Sequence, residues 1–174
     1  MSESFNQKPG ELEQFIEFFE EDKENIQRVK EFCKEEGLDV DFKVHPKSET
    51  CEESARHTDI EINQIVKTLV FKTGNDFIAV LAPGNKRVDT DKLREITGED
   101  NIRMANPEEV KDKTEYVIGG VSPFDLDIPV FMEEELLEHD KVRPAAGSRV
   151  VGVEVDPDDL LNVSDGSCFY LTVK

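Results

Sequence analysis

Leu12, Phe15, Ile16 and Phe19 recur at helical spacing behind Pro9-Gly10, with Glu11, Glu13, Glu17 and Glu20 outside the stripe they form. This predicts a first helix. A second stripe, Ile26, Val29, Phe32 and Cys33, predicts another helix, ended by Gly37 in a left-handed conformation. Val40, Phe42 and Val44 alternate with charged residues as a strand with one buried face, and Pro46 stops it. Thr50-Cys51-Glu52-Glu53 has capping-box spacing and predicts a short helix carrying Ala55 inward.

The run Ile65 to Thr73 reads as a strand, Gly74-Asn75 as its turn, and Phe77 to Leu81 as a hairpin partner apolar enough for a sheet covered on both faces. Pro83-Gly84-Asn85 is a loop. A helix from about Thr90 ends at Gly98, Ile102 to Met104 is a short strand, and Asn106-Pro107 opens a further helix. Val130 to Met132, Val150 to Val155 and Phe169 to Val173 complete the strands, with a helical turn opened at Asp156-Pro157. This order, with a hairpin inside it, favours an α/β or α+β domain with a mixed sheet over a doubly wound parallel sheet.

The 174 residues suit one domain, or one domain with a short appendage. A formal net charge of -19 argues against a DNA-binding or membrane-surface protein, since either partner is a polyanion. Residues 1–62 carry net -10 and the remainder net -9, so neither part is basic and any nucleic-acid contact must be local. No basic segment leads into an apolar run at the N-terminus and no stretch reaches membrane-helix length, so a cytoplasmic protein is expected. Cys33, Cys51 and Cys168 are too scattered for a disulfide framework or a CxxC knuckle and read as buried thiols.

Familiar catalytic signatures are missing. There is no GxxxxGK loop, and Phe124 stands where a GxSxG elbow starting at Gly120 needs its second glycine. His45, His57 and His139 have no carboxylate at metal-ligand spacing, so no metal is expected. Three features remain. Lys67 emerges from an apolar strand, Gly119-Gly120 with Pro123 could bring backbone N–H groups close to an anion or carbonyl oxygen, and Asn85-Lys86-Arg87 is a basic patch on an acidic chain. Taken singly, each has a plainer reading: a solvent-facing strand lysine, a turn and a solvated loop.

Together with their neighbours they resemble the YbaK/prolyl-tRNA synthetase editing-domain family of aminoacyl-tRNA deacylases. The segments that carry the resemblance are Thr50-Cys51-Glu52-Glu53-Ser54-Ala55, Gln64 to Phe71, Arg87-Val88-Asp89, Gly119-Gly120-Val121-Ser122-Pro123-Phe124, Ile128-Pro129-Val130 and Ala146-Gly147, in family order from about Ile26 onward. The resemblance implies a mixed, strongly curved β-sheet or barrel ringed by helices, formed by residues 23–174, with residues 1–22 as a helical extension. It also implies a pocket between the Lys67 strand and the glycine loop. Lys67 would hold the phosphate of the terminal adenosine, and Gly119, Gly120 and Pro123 would form the loop whose backbone meets the aminoacyl carbonyl. Ser122, Lys86 and Arg87 would complete the substrate site, along with Glu133, which stands where the family usually has Asp.

An aminoacyl ester is already activated, so such a pocket needs no cofactor, metal or triad. The implied partner is the 3' acceptor end of an aminoacyl-tRNA, with an aminoacyl-tRNA synthetase as a candidate second partner. The implied cargo is Cys, Ala or Ser on a proline tRNA. The Glu133 departure keeps an alternative open, a non-catalytic tRNA- or synthetase-binding module that retains the fold.

Overall fold

A computed structural model describes residues 9–44 and 60–173, with side chains from residue 22 onward. The expected Thr50 helix, Cys51, His45 and His57 lie outside the described residues. The chain opens with a single helix, α1 (Pro9–Glu35), where the stripes predicted two. Nothing between Phe19 and Ile26 breaks a helix: the acidic run there lacks Gly and Pro, so the backbone continues through it. Gly37 does end it, at φ +67, with Leu38 N–H donating to Cys33 O and Gly37 N–H to Lys34 O, the Schellman pattern.

Strands follow at Asp41–Val44 (β1), Ile65–Thr73 (β2), Asp76–Pro83 (β3) and Ile102–Met104 (β4), then Val130–Glu133 (β5), Arg143–Pro144 (β6), Val151–Glu154 (β7) and Ser167–Phe169 (β8). Helix α2 (Thr90–Thr97) begins where expected, and α3 (Pro107–Thr114) and α4 (Pro157–Val163) begin at the predicted Asn106-Pro107 and Asp156-Pro157 starts. Asp89 accepts from Asp91 N–H, Asn106 from Glu109 N–H, and Asp156 from Asp158 N–H.

The main sheet runs β4-β2-β3-β5-β8, and β6 also pairs with β2; β1 and β7 form a separate antiparallel ribbon. It is mixed, as expected: β2 is antiparallel to β3 and β4, while β3–β5, β5–β8 and β2–β6 are parallel. It does not close into a barrel. Each face carries its own core. Val66, Val70, Ala79, Leu81, Val130 and Met132 face the larger one, which includes α1 and Tyr116, Val121 and Phe124. Phe71, Ile78, Val80 and Ala82 face a smaller one with Leu93 and Leu171. This two-sided cover explains why β3 is buried from Phe77 to Pro83.

Two strand expectations change. The two-residue strand β6 carries no alternation by which it could be read. The C-terminal strand begins at Ser167, before the predicted Phe169, and the chain leaves the sheet after Phe169, because Leu171 N–H is taken by the Glu133 carboxylate at 2.6 Å. Cys33 is buried, and burial pushes its thiol up to about 11; Cys168 is half-buried and its thiol is also raised, chiefly by burial.

Candidate active site

The glycine loop is built on a tight turn. Gly120 N–H donates to Val117 O at 2.8 Å, and Gly119 has φ +91. These are the marks of a type II turn, whose third position favours glycine. Both glycines also allow close packing against the loop that follows β6. A Cβ on Gly120 would lie 3.0 Å from Ser148 N and 3.1 Å from Ser148 Cα, and one on Gly119 would lie 2.7 Å from Arg149 Nε.

The 146–149 loop is itself anchored. Gly147, at φ +86, packs on α1, where a Cβ would come within 2.8 Å of Asn25 Cβ. Ala146 N–H donates to Val151 O, and Ser148 Oγ accepts from Val150 N–H. Pairing of β6 with the start of β2, at Ile65↔Arg143 and Val66↔Pro144, brings this loop alongside the Lys67 strand.

Arg28 of α1 holds the far side of the glycine loop. Its guanidinium donates to Thr114 O at 2.7 Å, to the Asp125 carboxylate at 2.8 Å and to Asp125 O, and it lies 4.2 Å above the Tyr116 ring. Tyr116 is fully buried and its hydroxyl donates to Phe124 O at 2.7 Å, tying the two ends of the segment together. Burial, opposed by the Arg28 charge, raises the Tyr116 phenol above its ordinary value, so it remains a neutral donor. Sequence reading named none of Arg28, Tyr116, Asp125, Ser148 or Arg149. The one available signal was Arg28 four residues before Phe32, on the flank of the buried stripe.

The free donors differ from the expected ones. Gly120 N–H is engaged within the turn, whereas the N–H groups of Gly119, Val121 and Ser122 have no partner among the described residues. Val121 and Ser122 are buried, at 6% and 0% exposure, where unpaired amides are uncommon. The Ser122 hydroxyl turns inward and accepts from Phe124 N–H at 3.3 Å, and Pro123 is buried beside it.

Lys67 is half-buried, lies opposite Ala82, and makes no ion pair among the described residues. Alternation puts its side chain on the face of Leu69 and Phe71, so it does not share a sheet face with Val121 and Phe124 of the glycine loop, whereas Thr68 faces that larger core. Thr68 borders a break in the sheet. Val70 O accepts from Ala105 N–H, so the backbone groups of Thr68 point to the same edge, between β6 and β4, where no strand pairs with it. Its hydroxyl is buried without a partner among the described residues.

Lys86 and Arg87 lie in the turn after β3, which is held to β2 by Gly84 N–H on Ile65 O, so they share the Lys67 corner of the hairpin. Glu133 stands apart as a substrate contact. It is 1% exposed, and its two oxygens accept from Leu171 N–H and the Thr172 hydroxyl at 2.6 and 2.7 Å, so it secures the C-terminal segment. Among the described residues there is no group of three or more His, Cys, Asp or Glu side chains suited to a metal, and no helix long and apolar enough to cross a membrane.

The sequence model of the aminoacyl-tRNA editing domain family matches residues 45–163. The chain belongs to that family. An editing domain of this kind is a hydrolase of the ester joining amino acid to tRNA. YwhH of Bacillus subtilis (strain 168) is 35% identical over 120 residues, 67% of this chain and 76% of its own. A protein of Enterococcus faecalis named "Putative Cys-tRNA(Pro)/Cys-tRNA(Cys) deacylase EbsC" is 28% identical over 157 residues, 87% of this chain and 94% of its own. The solved structure described as "a putative trans-editing enzyme for prolyl tRNA synthetase" superposes with a TM-score of 0.79 at 29% identity, covering 86% of this chain and 98% of that one. In the editing domain seen here, the segment between α3 and β5 supplies the glycine loop and the hairpin carries the lysine.

Proposed function

We propose that this editing domain acts in trans on a mischarged proline tRNA, releasing Cys, Ala or Ser, with cysteine first. The observation that carries the reading is the glycine loop, wedged on Ser148 with the Val121 and Ser122 amides unpaired among the described residues, in a chain of the editing family. The relative named as a Cys-tRNA deacylase supports cysteine. Residues 23–174 form the editing unit in this reading, and residues 1–22 are an extension to it.

Lys67 holds the phosphate of the terminal adenosine, beside the Lys86–Arg87 turn. The aminoacyl carbonyl oxygen meets the N–H groups of Val121 and Ser122, with Gly119 leaving the approach open. A water oxygen bonds to the carbonyl carbon, the negative charge that develops on the carbonyl oxygen is held by those amides, and the bond to the ribose oxygen breaks as that oxygen takes the proton that the water gives up. Removing one such donor in other enzymes costs about 3 to 4 kcal/mol, so two can carry much of the acceleration. The Ser122 hydroxyl takes no covalent part, since it is turned to Phe124 N–H.

A panel of mischarged tRNAs tests the reading. Release of cysteine from proline tRNA by the wild type, and its loss by orders of magnitude in Lys67→Ala with little change in unfolding, is the expected result. Failure to release any amino acid would leave a binding module in its place. Near wild-type turnover by Lys67→Ala would remove the lysine from the mechanism.

A further inference from the structure

Among the described residues, two arginines hold no carboxylate, Arg87, which is exposed in the turn after β3, and Arg149, which is half-buried beside the glycine loop. Arg28, Arg94, Arg103 and Arg143 each hold a carboxylate, on Asp125, Asp91, Glu109 and Glu154 respectively. Arg149 holds none, although the chain carries 40 acidic residues. It is half-buried and lies across the glycine loop. Its Nε is 2.7 Å from where a Gly119 Cβ would stand, and its only hydrogen bond among the described residues, to Ile118 O, is long at 3.4 Å. The Gly119 N–H beside it is also without a partner among the described residues.

A planar guanidinium with most of its donors unused, beside a free amide, is suited to the oxygens of a phosphate. An acidic protein repels a polyanion as a whole, so the cations that meet it must be local and not already neutralised. We propose that Arg149 and the Gly119 N–H form a second phosphate subsite, taking a phosphodiester of the single-stranded acceptor end other than the one at Lys67. The inference rests on the editing reading and adds which backbone position of the tRNA the glycine loop grips. Gly119 then serves twice, giving the turn its conformation and leaving the guanidinium uncovered.

The test uses the full chain and an uncharged acceptor-stem microhelix with its single-stranded 3' end, followed by fluorescence anisotropy across a salt series. Arg149→Gln should weaken binding about tenfold and reduce the slope of log affinity on log salt by about 0.7, one phosphate contact on a single strand. Arg149→Lys should recover most of the slope, and Arg103→Gln, whose parent is already paired, should change neither quantity. With wild-type protein, so that no variant need fold, the microhelix should protect Arg149 from phenylglyoxal and leave Arg103 reactive. Unchanged affinity and slope in Arg149→Gln would overturn the subsite, as would equal weakening by Arg103→Gln, unprotected Arg149, or no microhelix binding by the wild type. Binding that depends on Arg149 without any ester hydrolysis would instead overturn the editing reading alone.

Discussion

The β2–β3 hairpin and the pair of loops at 117–122 and 146–149 are held in opposite ways. The hairpin is local: Val66 to Thr73 pair in unbroken register with Pro83 to Asp76 across a two-residue turn, and apolar side chains cover both faces. The loops have little regular pairing. They are positioned by glycines that permit backbone contact, Gly120 on Ser148 and Gly147 on Asn25, and by arginines reaching from elsewhere, Arg28 across 97 residues to Asp125. The hairpin's stability is therefore spread over many contacts, while the loops' geometry hangs on a few. Substitution in the first should cost folding; substitution in the second should cost chemistry out of proportion to folding.

The largest stability effect belongs to the hairpin. Leu81 is fully buried, and Leu81→Ala should destabilise by about 3 kcal/mol in urea unfolding, with activity per folded molecule little changed. A selective loss of kcat would break the contrast. Gly120→Val comes next. Its Cβ would press on the Ser148 backbone, costing about 1 to 3 kcal/mol and abolishing deacylation of mischarged tRNA even where the protein remains folded. Activity in a folded Gly120→Val protein would show that the contact with Ser148 does not set the site.

Arg28→Ala should cost about 1 kcal/mol, since the Asp125 carboxylate is half exposed, yet lower kcat about tenfold by loosening both ends of the loop. Arg28→Lys should restore stability better than kcat, because one ammonium cannot meet Thr114, Asp125 and the Tyr116 ring together.

A pH titration addresses the junction that feeds the loop. Arg103, hydrogen-bonded to both oxygens of Glu109, holds that carboxyl at about 2, below its ordinary 4.5, with help from Asn106 N–H. A carboxyl depressed in the folded state stabilises at pH above its ordinary value, and the contribution fades as pH falls from about 4.5 toward about 2. Stability of Glu109→Gln should therefore fall less steeply over that window than that of the wild type. Parallel curves would mean that the pair contributes nothing to folding.

The smallest stability effect is expected at Thr68. Replacing its unpartnered hydroxyl by a methyl, Thr68→Val, should leave stability within about 0.5 kcal/mol or slightly raised. A drop in kcat beside unchanged unfolding would place Thr68 on the loop side of the contrast, although it lies in the hairpin. Unchanged kcat would make the notch at β2 structurally idle.

Much of the architecture is legible one short window at a time. The apolar and β-branched run from Ile65 to Thr73 marks β2 at the bounds it adopts. Caps announce α3 and α4 at Asn106-Pro107 and Asp156-Pro157, and positive-φ glycines end α1 and α2 at Gly37 and Gly98. These features depend on steric limits and hydrogen bonds within a few residues, so the chain specifies them without reference to the rest. The motif order likewise led to the editing family and to the Lys67 and Gly119-Gly120 segments. Local sequence could not show that α1 runs unbroken, that Gly120 N–H is used within its own turn, or that Glu133 secures Leu171 and Thr172. Nor could it separate Arg149 from arginines that have carboxylate partners. Each of those outcomes depends on which distant group arrives beside the residue, and sheet pairing and core packing decide that only when the whole chain has folded.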